Sequence, residues 1–376
     1  MRKNRIRNNM RICIDARMMG AGNTRGIGRF IEEIVAQMVQ QAPQHRFVLL
    51  VSSKEHRFVG HSAVESVFCD IPWYGWHEQV LMPRVFRAMK ADYFFVPHWN
   101  VPLFGMPKPF SVFVHDLLLF HEPMSAKISL RHPAVAWFKR KMHWLVVRGA
   151  VRKARVVFVP TEFVKQDVLS FFPELRKVVV TGEGMPSLEE VDSSESMKKP
   201  AQPFLLYVGS AYPHKGLDDV LAAWPSIRAV FPNLEWYIVG EKDTFMKQVE
   251  ERVAVDKLSG IRFLGRVDDR SLQKMYRQAE GLLYPSRFEG FGLPPLEALA
   301  AGCPVIARRI PALVEVLGEE GAFFFRDGSN DAILIAVQNL FADPVRAQQS
   351  AQATAKILAK RHQWSQAAQI ILNTWK

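Results

Sequence analysis

The sequence predicts an α/β protein built from two doubly wound domains facing a central cleft. Short, uninterrupted apolar strands alternate with helices along the chain. A polar segment bounded by prolines lies near the middle. The length of 376 residues, 48% hydrophobic and 23% charged, suits two soluble globular domains and excludes disorder or a fibre.

In the first half, Met10–Asp15 reads as a strand, Ile27–Gln41 as a helix and His45–Ser52 as a strand, with Tyr93–Pro97, Phe110–Val114 and Arg155–Val159 as three more. Apolar runs of this length between helices imply a parallel sheet covered on both faces. Pro186 to Pro203, PSLEEVDSSESMKKPAQP, is the linker, which divides the chain into domains 1–190 and 200–360. After it the pattern restarts: strand Phe204–Gly209, helix Leu217–Val230, strand Leu234–Gly240, helix Thr244–Val255, strand Ile261–Gly265, helix Ser271–Ala279 and strand Gly281–Pro285. Helix Pro294–Ala301 and strands Pro304–Ala307 and Ala322–Phe325 follow, with helices from there to Trp375. In such sheets ligands sit beyond the carboxyl ends of the strands, so chemistry is expected there.

The net charge of +12 is uneven. Residues 1–180 hold 27 Lys and Arg against 13 Asp and Glu, whereas residues 181–376 hold 22 against 24. Arg2, Lys3, Arg5, Arg7 and Arg11 precede the first acid, and residues 131–155 carry eight basic side chains and no acid. A half so basic implies an anionic partner: nucleic acid, an acidic membrane surface or a phosphorylated ligand. Cys13, Cys69 and Cys303 match no metal or redox spacing, which favours a reducing cytoplasm. No apolar run is long enough to span a membrane, and the charged start is unlike a signal peptide.

Residues 284–307, YPSRFEGFGLPPLEALAAGCPVIA, carry the strongest signal. A strand ends at Tyr284–Pro285, a glycine-rich turn follows, and a helix opens near Pro294, where proline costs no hydrogen bond. Backbone N–H groups at such a helix start suit an anion. Glu289 then lies in the loop and Glu297 about one turn into the helix, two carboxylates for one pocket.

This Glu-x7-Glu segment, with F-G-L-P and A-x-G-x-P-V around it, resembles the signature of family 4 of the retaining glycosyltransferases, whose GT-B fold pairs two Rossmann-like domains. The resemblance extends over most of the chain. Tyr207–Gly216, YVGSAYPHKG, is similar to the family's Y-V-G-x-x-x-P-R-K-N segment; Gly26–Phe30, GIGRF, resembles the glycine-rich loop of mannosyltransferase-like members; and FVHDLLLFHEP, from Phe113, resembles their I-H-D-L segment. The resemblance implies catalytic roles for His115, Glu289 and Lys215. It implies donor contacts from Gly26, Gly28, Ser210, Lys215, Glu289, Gly290, Phe291, Gly292 and Leu293, with Glu297 on the ribose hydroxyls. Ser210 and His214 depart from the family's pattern, which has arginine at both places, so Lys215 is the cation left in this segment.

The loop after the first strand contains Gly20, Gly22, Gly26 and Gly28 but no G-x-G-x-x-G, and the second strand ends in Ser52-Ser53 rather than an acid. A nicotinamide enzyme is therefore disfavoured. No D-x-D triplet or ligand-spaced cluster appears, so no metal or other cofactor is expected and the nucleotide-sugar enters as a substrate. His115 and His98 each close a strand. In residues 131–155, Val135, Phe138, Met142, Leu145 and Gly149 follow helical steps and are expected to pack on the sheet, with Trp137 and Trp144 placed for an anionic lipid interface.

The expectation is a retaining hexosyltransferase taking mannose or a related sugar from a GDP-sugar to a lipid-linked polysaccharide or O-antigen acceptor. It would be cytoplasmic, peripheral on the inner face of the plasma membrane, with no nucleic-acid partner. The first domain would receive the acceptor, the second the donor, and a helix at 361–376 would return to the first. A GT-B epimerase or hydrolase of sugar nucleotides and an inactive sugar-binding subunit are the alternatives.

Overall fold

The computed structural model describes residues 9–20, 26–122, 133–186 and 200–375. The chain divides into two compact units, one of Met1–Phe120, Arg131–Gly184 and His362–Lys376, the other of His121–Leu130 and Met185–Arg361. The dividing point at Gly184/Met185 falls just before the expected linker, most of which, with the basic segment 1–8, lies outside the described residues.

The first unit runs β1 (Arg11–Asp15), α1 (Ile27–Gln41), β2 (Arg46–Val51), β3 (Val64–Phe68), α2 (Trp76–Ala88), β4 (Tyr93–Val96) and β5 (Phe110–Phe113). A single turn α3 (Leu118–His121), α4 (Pro133–Lys153), β6 (Val156–Val159), α5 (Glu162–Phe171) and β7 (Val178–Val180) follow. Its seven strands are all parallel, in the order β3-β2-β1-β4-β5-β6-β7. β1, β2, β4, β5 and β6 are buried along nearly their whole length, as continuous apolar strands between two helical layers must be. The outer strand β3, VESVF, alternates and is half exposed.

The second unit runs β8 (Phe204–Val208), α6 (Leu217–Val230), β9 (Glu235–Val239), α7 (Thr244–Val255), β10 (Ile261–Gly265), α8 (Asp269–Gln278) and β11 (Gly281–Tyr284). It continues with α9 (Leu293–Ala300), β12 (Val305–Arg308), α10 (Pro311–Leu317), β13 (Phe323–Phe325), α11 (Asn330–Ala342) and α12 (Pro344–Arg361). Six parallel strands lie in the order β10-β9-β8-β11-β12-β13. Trp224 of α6 and Trp236 of β9 are fully buried with ring centroids 5.8 Å apart and anchor this core.

Both sheets reverse direction once, between β1 and β4 and between β8 and β11. Two doubly wound units of this kind are the GT-B architecture expected above. The elements absent from the sequence reading are β3, α2, α3, α5, β7 and α10 (Pro311–Leu317).

α4 corrects an expectation. Its sheet-facing side chains are Val146, Val147, Ala150 and Val151, whereas Val135, Phe138 and Leu145 are exposed. The expected stripe is therefore offset from the face that meets the sheet, and half the helix leaves its apolar side chains in solvent.

The last helix, α13 (Trp364–Thr374), packs on α1 in the first unit. Trp364 lies 5.9 Å from the Phe30 ring and Trp375 5.1 Å from Tyr93. A Cβ on Gly184 would stand 2.2 Å from Cγ of Trp364. Gly184→Ala should thus displace α13 and destabilise the first unit by about 2 kcal/mol, the usual scale of overpacking. A lowered calorimetric transition is the expected result, and an unchanged one would show that α13 gives way freely.

Candidate active site of the second unit

The strands flanking the reversal of the second sheet part early, pairing only as Gly281↔Leu205 and Leu282↔Leu206. Beyond their ends the loops 209–216 and 285–292 lie side by side. Arg287 N–H donates to the His214 carbonyl at 2.7 Å. Gly216 has φ of 71° and a Cβ there would meet the Pro285 carbonyl oxygen at 2.3 Å, so only glycine lets the two backbones approach this closely.

Lys215 Nζ lies 2.6 Å from Glu289 Oε1, joining the two loops, with the side chains 16% and 12% exposed. The Tyr284 hydroxyl donates to the same oxygen at 2.5 Å. Burial alone would raise the Glu289 pKa, but the Lys215 charge and hydrogen bonds from Lys215, Tyr284 and Ser286 outweigh it and hold the carboxyl below its ordinary value. Glu289 is therefore an ionised acceptor, not an acid. An ammonium has three hydrogens, so the bond to Glu289 leaves Lys215 with donor capacity for an anion.

The helices that start here lack side-chain caps. α6 begins at Gly216 and α9 at Gly292, both with left-handed backbone, and in the first unit α1 begins at Gly26, also without a side-chain cap but with a different backbone, φ 51° and ψ −108°. By contrast α7, α8 and α11 are capped by Asp243, Asp268 and Ser329. Amides of a first turn that no side chain caps can serve an anion instead. Gly290, Phe291, Gly292 and Leu293 form the buried approach to α9. Glu297 lies within that helix and accepts from the Tyr276 hydroxyl at 3.0 Å. The Ser210 carbonyl accepts from the Tyr207 hydroxyl at 2.6 Å, which fixes the loop after β8.

His214 is buried, and its Nδ1 has no hydrogen-bond partner. Burial and the adjacent Lys215 charge, against a smaller pull from Glu289, lower its pKa to about 3. At neutral pH it carries no charge and cannot replace an arginine. Two cations that the sequence reading did not single out stand at the same sheet end: Asp219 accepts from Arg287 at 2.7 Å and from Arg308 at 2.5 Å. Arg287 lies in the loop after β11 and Arg308 ends β12, so no local motif announces them.

His115, Gly26 and Gly28 belong to the first unit. The Phe30 ring, in the first turns of α1 with Gly28, lies 4.9 Å from the His115 ring. His115 Nε2 faces the Pro97 carbonyl at 3.1 Å and Nδ1 faces Glu183 at 3.3 Å. Because a carbonyl only accepts, Nε2 carries hydrogen. No group of three or more His, Cys, Asp or Glu among the described residues is arranged to hold a metal ion.

Residues 202–343 match the glycosyl transferases group 1 family. The match lies within the second unit, and the two doubly wound sheets have the GT-B architecture. It is 26% identical to O-antigen chain mannosyltransferase B of Escherichia coli over 276 residues, covering 70% of this chain and 68% of that protein. It is 25% identical to O-antigen chain mannosyltransferase RfbU of Salmonella typhimurium, covering 65% of this chain and 63% of that protein, slightly under two thirds of its length. Among solved structures, sucrose-phosphate synthase of Thermosynechococcus elongatus superposes with a TM-score of 0.75 over 97% of this chain and 98% of that chain at 17% identity, a likeness of fold.

The depressed pKa of Glu289 has a consequence for stability. A carboxyl whose folded pKa is lowered contributes stability above its unfolded pKa and loses it as pH falls through the folded value. Wild type should therefore lose its stability advantage over Glu289→Gln as urea unfolding is followed downward from pH 7, the loss starting in the ordinary glutamate range and completing below it. A pH-independent difference would remove Lys215 as the cause.

Proposed function

We propose that the protein is a retaining hexosyltransferase that moves mannose or a related sugar from a GDP-sugar to a lipid-linked polysaccharide or O-antigen acceptor. The observation that carries the reading is the Lys215–Glu289 pair across the reversal of the second sheet, between helix starts without side-chain caps. The O-antigen mannosyltransferase relatives support the sugar and the acceptor class.

In the proposed step the anomeric C–O bond to the diphosphate breaks, a bond forms to an acceptor hydroxyl oxygen on the same face, and the hydroxyl proton leaves with the departing diphosphate. Lys215 and the amides of Gly290 to Leu293 take up the leaving group's growing charge, and no metal ion is required. Glu289, ionised, accepts hydrogen bonds from sugar hydroxyls; Glu297 serves the ribose. His115, with Nε2 tied to a carbonyl, positions the sugar rather than acting as a base.

The same reading places the enzyme on an anionic membrane surface. α4 exposes Trp137, Phe138, Trp144 and Leu145 beside Lys139 and Lys141, the mixture that suits a bilayer interface. No helix among the described residues is long and apolar enough to cross a membrane.

With GDP-mannose and a mannose-terminated lipid acceptor, Lys215→Ala and Glu289→Ala should each lower transfer at least a hundredfold while remaining folded by circular dichroism. In a thermal-shift panel of GDP-, UDP- and ADP-sugars, GDP-sugars should raise the midpoint most, since a ligand at 100 times its Kd adds about 2.7 kcal/mol. A stronger shift with another base would reassign the donor, and donor turnover without acceptor would mark a hydrolase or epimerase. Reversing charge at Lys139, Arg140 and Lys141 should weaken sedimentation with anionic liposomes.

A further inference from the structure

The first sheet has its own reversal, between β1 and β4, and the side chains just beyond these strand ends have no part in the donor chemistry. Arg17, two residues past β1, is 1% exposed. Its guanidinium binds both Asp15 oxygens at 2.8 and 2.7 Å, Glu78 Oε1 at 2.6 Å and the Ile71 carbonyl at 2.8 Å. The second oxygen of Glu78 accepts from the Asn100 amide and, at 2.8 Å, from the backbone N–H of Tyr74.

That last bond holds Tyr74 in a conformation an L side chain rarely adopts, with φ of 61°. The ring gains no burial from it, being 59% exposed. Strain that does not serve packing collects where a ligand is clamped. The ring is also fixed at its far end. Asn100 N–H donates to His98 Nδ1 at 3.1 Å, and burial keeps His98 neutral, so its hydrogen sits on Nε2 and the Tyr74 oxygen accepts it at 3.2 Å. Trp99 lies 5.6 Å from the Tyr74 ring at 43°, held edge-on by His143 at 4.5 Å.

We propose that Tyr74 and Trp99 form a stacking subsite for a pyranose ring of the acceptor glycan. A pyranose presents C–H groups to an aromatic face and hydroxyls at its rim. Beside the two rings, Asp15, His98 and Asn100 line one crevice with Trp73 at the reversal of the sheet, where ligands of doubly wound domains bind. A bilayer would accept any exposed aromatic side chain and has no use for a strained backbone tied to buried charges. The proposal rests on the function proposed above for the identity of the sugar as acceptor.

The test uses the full-length protein and an α-linked mannotetraose, with affinity read by saturation-transfer NMR titration. Tyr74→Gly removes the ring at a φ that glycine adopts without cost, so the variant should melt at or above the wild-type temperature yet bind the tetraose at least tenfold more weakly. Tyr74→Phe, which keeps the face, should stay within about threefold of wild type by the same stacking argument. Trp99→Leu should weaken binding in a second, independently folded variant. Wild-type affinity in both Tyr74→Gly and Trp99→Leu overturns the proposal, as does loss of sedimentation with phosphatidylglycerol vesicles while tetraose binding is intact, which would assign the rings to a membrane. If GDP-sugar turnover proceeds while tetraose binding ignores Tyr74, the subsite falls and the donor reading stands. If no nucleotide-sugar binds but tetraose binding depends on Tyr74, the reverse holds.

Discussion

Parallel strands cannot be joined by tight turns, and this constraint shapes both units. Each crossover carries the chain to one side until the sheet is extended there, and the chain must then return across its first strand to build the other half. At that return two neighbouring strands send their continuations to opposite faces, and the ladder between them ends early. In the second unit β8 and β11 are in register over just two residue pairs before they part. The opening that results would be a fault in a packed core, and the chain lines it with groups able to bear desolvation. Lys215 and Glu289 neutralise each other across it, with Tyr284 beneath. The same opening in the first unit is lined by Asp15, Arg17 and Glu78. The two clusters differ in what they leave undone. Arg17 has its guanidinium bonded to two carboxylates and a carbonyl, whereas the Lys215 ammonium can still serve an anion.

A buried ion pair is weak evidence for stability, because desolvation consumes most of the Coulombic gain. Its value here is orientation. Glycine at 216 lets the loop after β8 touch the loop after β11. The pair then fixes where a single positive charge stands relative to the amides of α9. His214, which a reader of the sequence would count as a second basic group, is kept neutral by the same burial that makes the pair rigid.

The sheets were largely legible in the sequence, since strands buried on both faces must be apolar throughout and their lengths match a parallel sheet. Helices α1, α6 and α7 agree to the residue with the spacing of their apolar positions. What escaped was either short or half polar. β3 places Glu65 and Ser66 side by side between two valines at an edge, and β7 is only three valines long. α4 misled because its exposed apolar side chains obey helical spacing as well as its buried ones do. Of the candidate site, the Glu-x7-Glu segment and Lys215 stood out because local motifs carry them. The Arg17–Glu78 bond joins residues 61 apart. Nothing near either residue marks it, since only the sheet order brings the end of β1 to the start of α2.

The return of α13 to α1 also bears on how the chain acquires its shape during synthesis. A ribosome releases the first unit's seven strands long before residues 364–375, which cover Phe30 and Tyr93 with Trp364 and Trp375. Until then α1 lacks the cover that α13 supplies, while the strands of the second unit all lie between Met185 and Arg361 and have already emerged. The usual order of domain-by-domain folding from the N-terminus is thereby inverted: the first unit is finished by residues that emerge after the strands of the second.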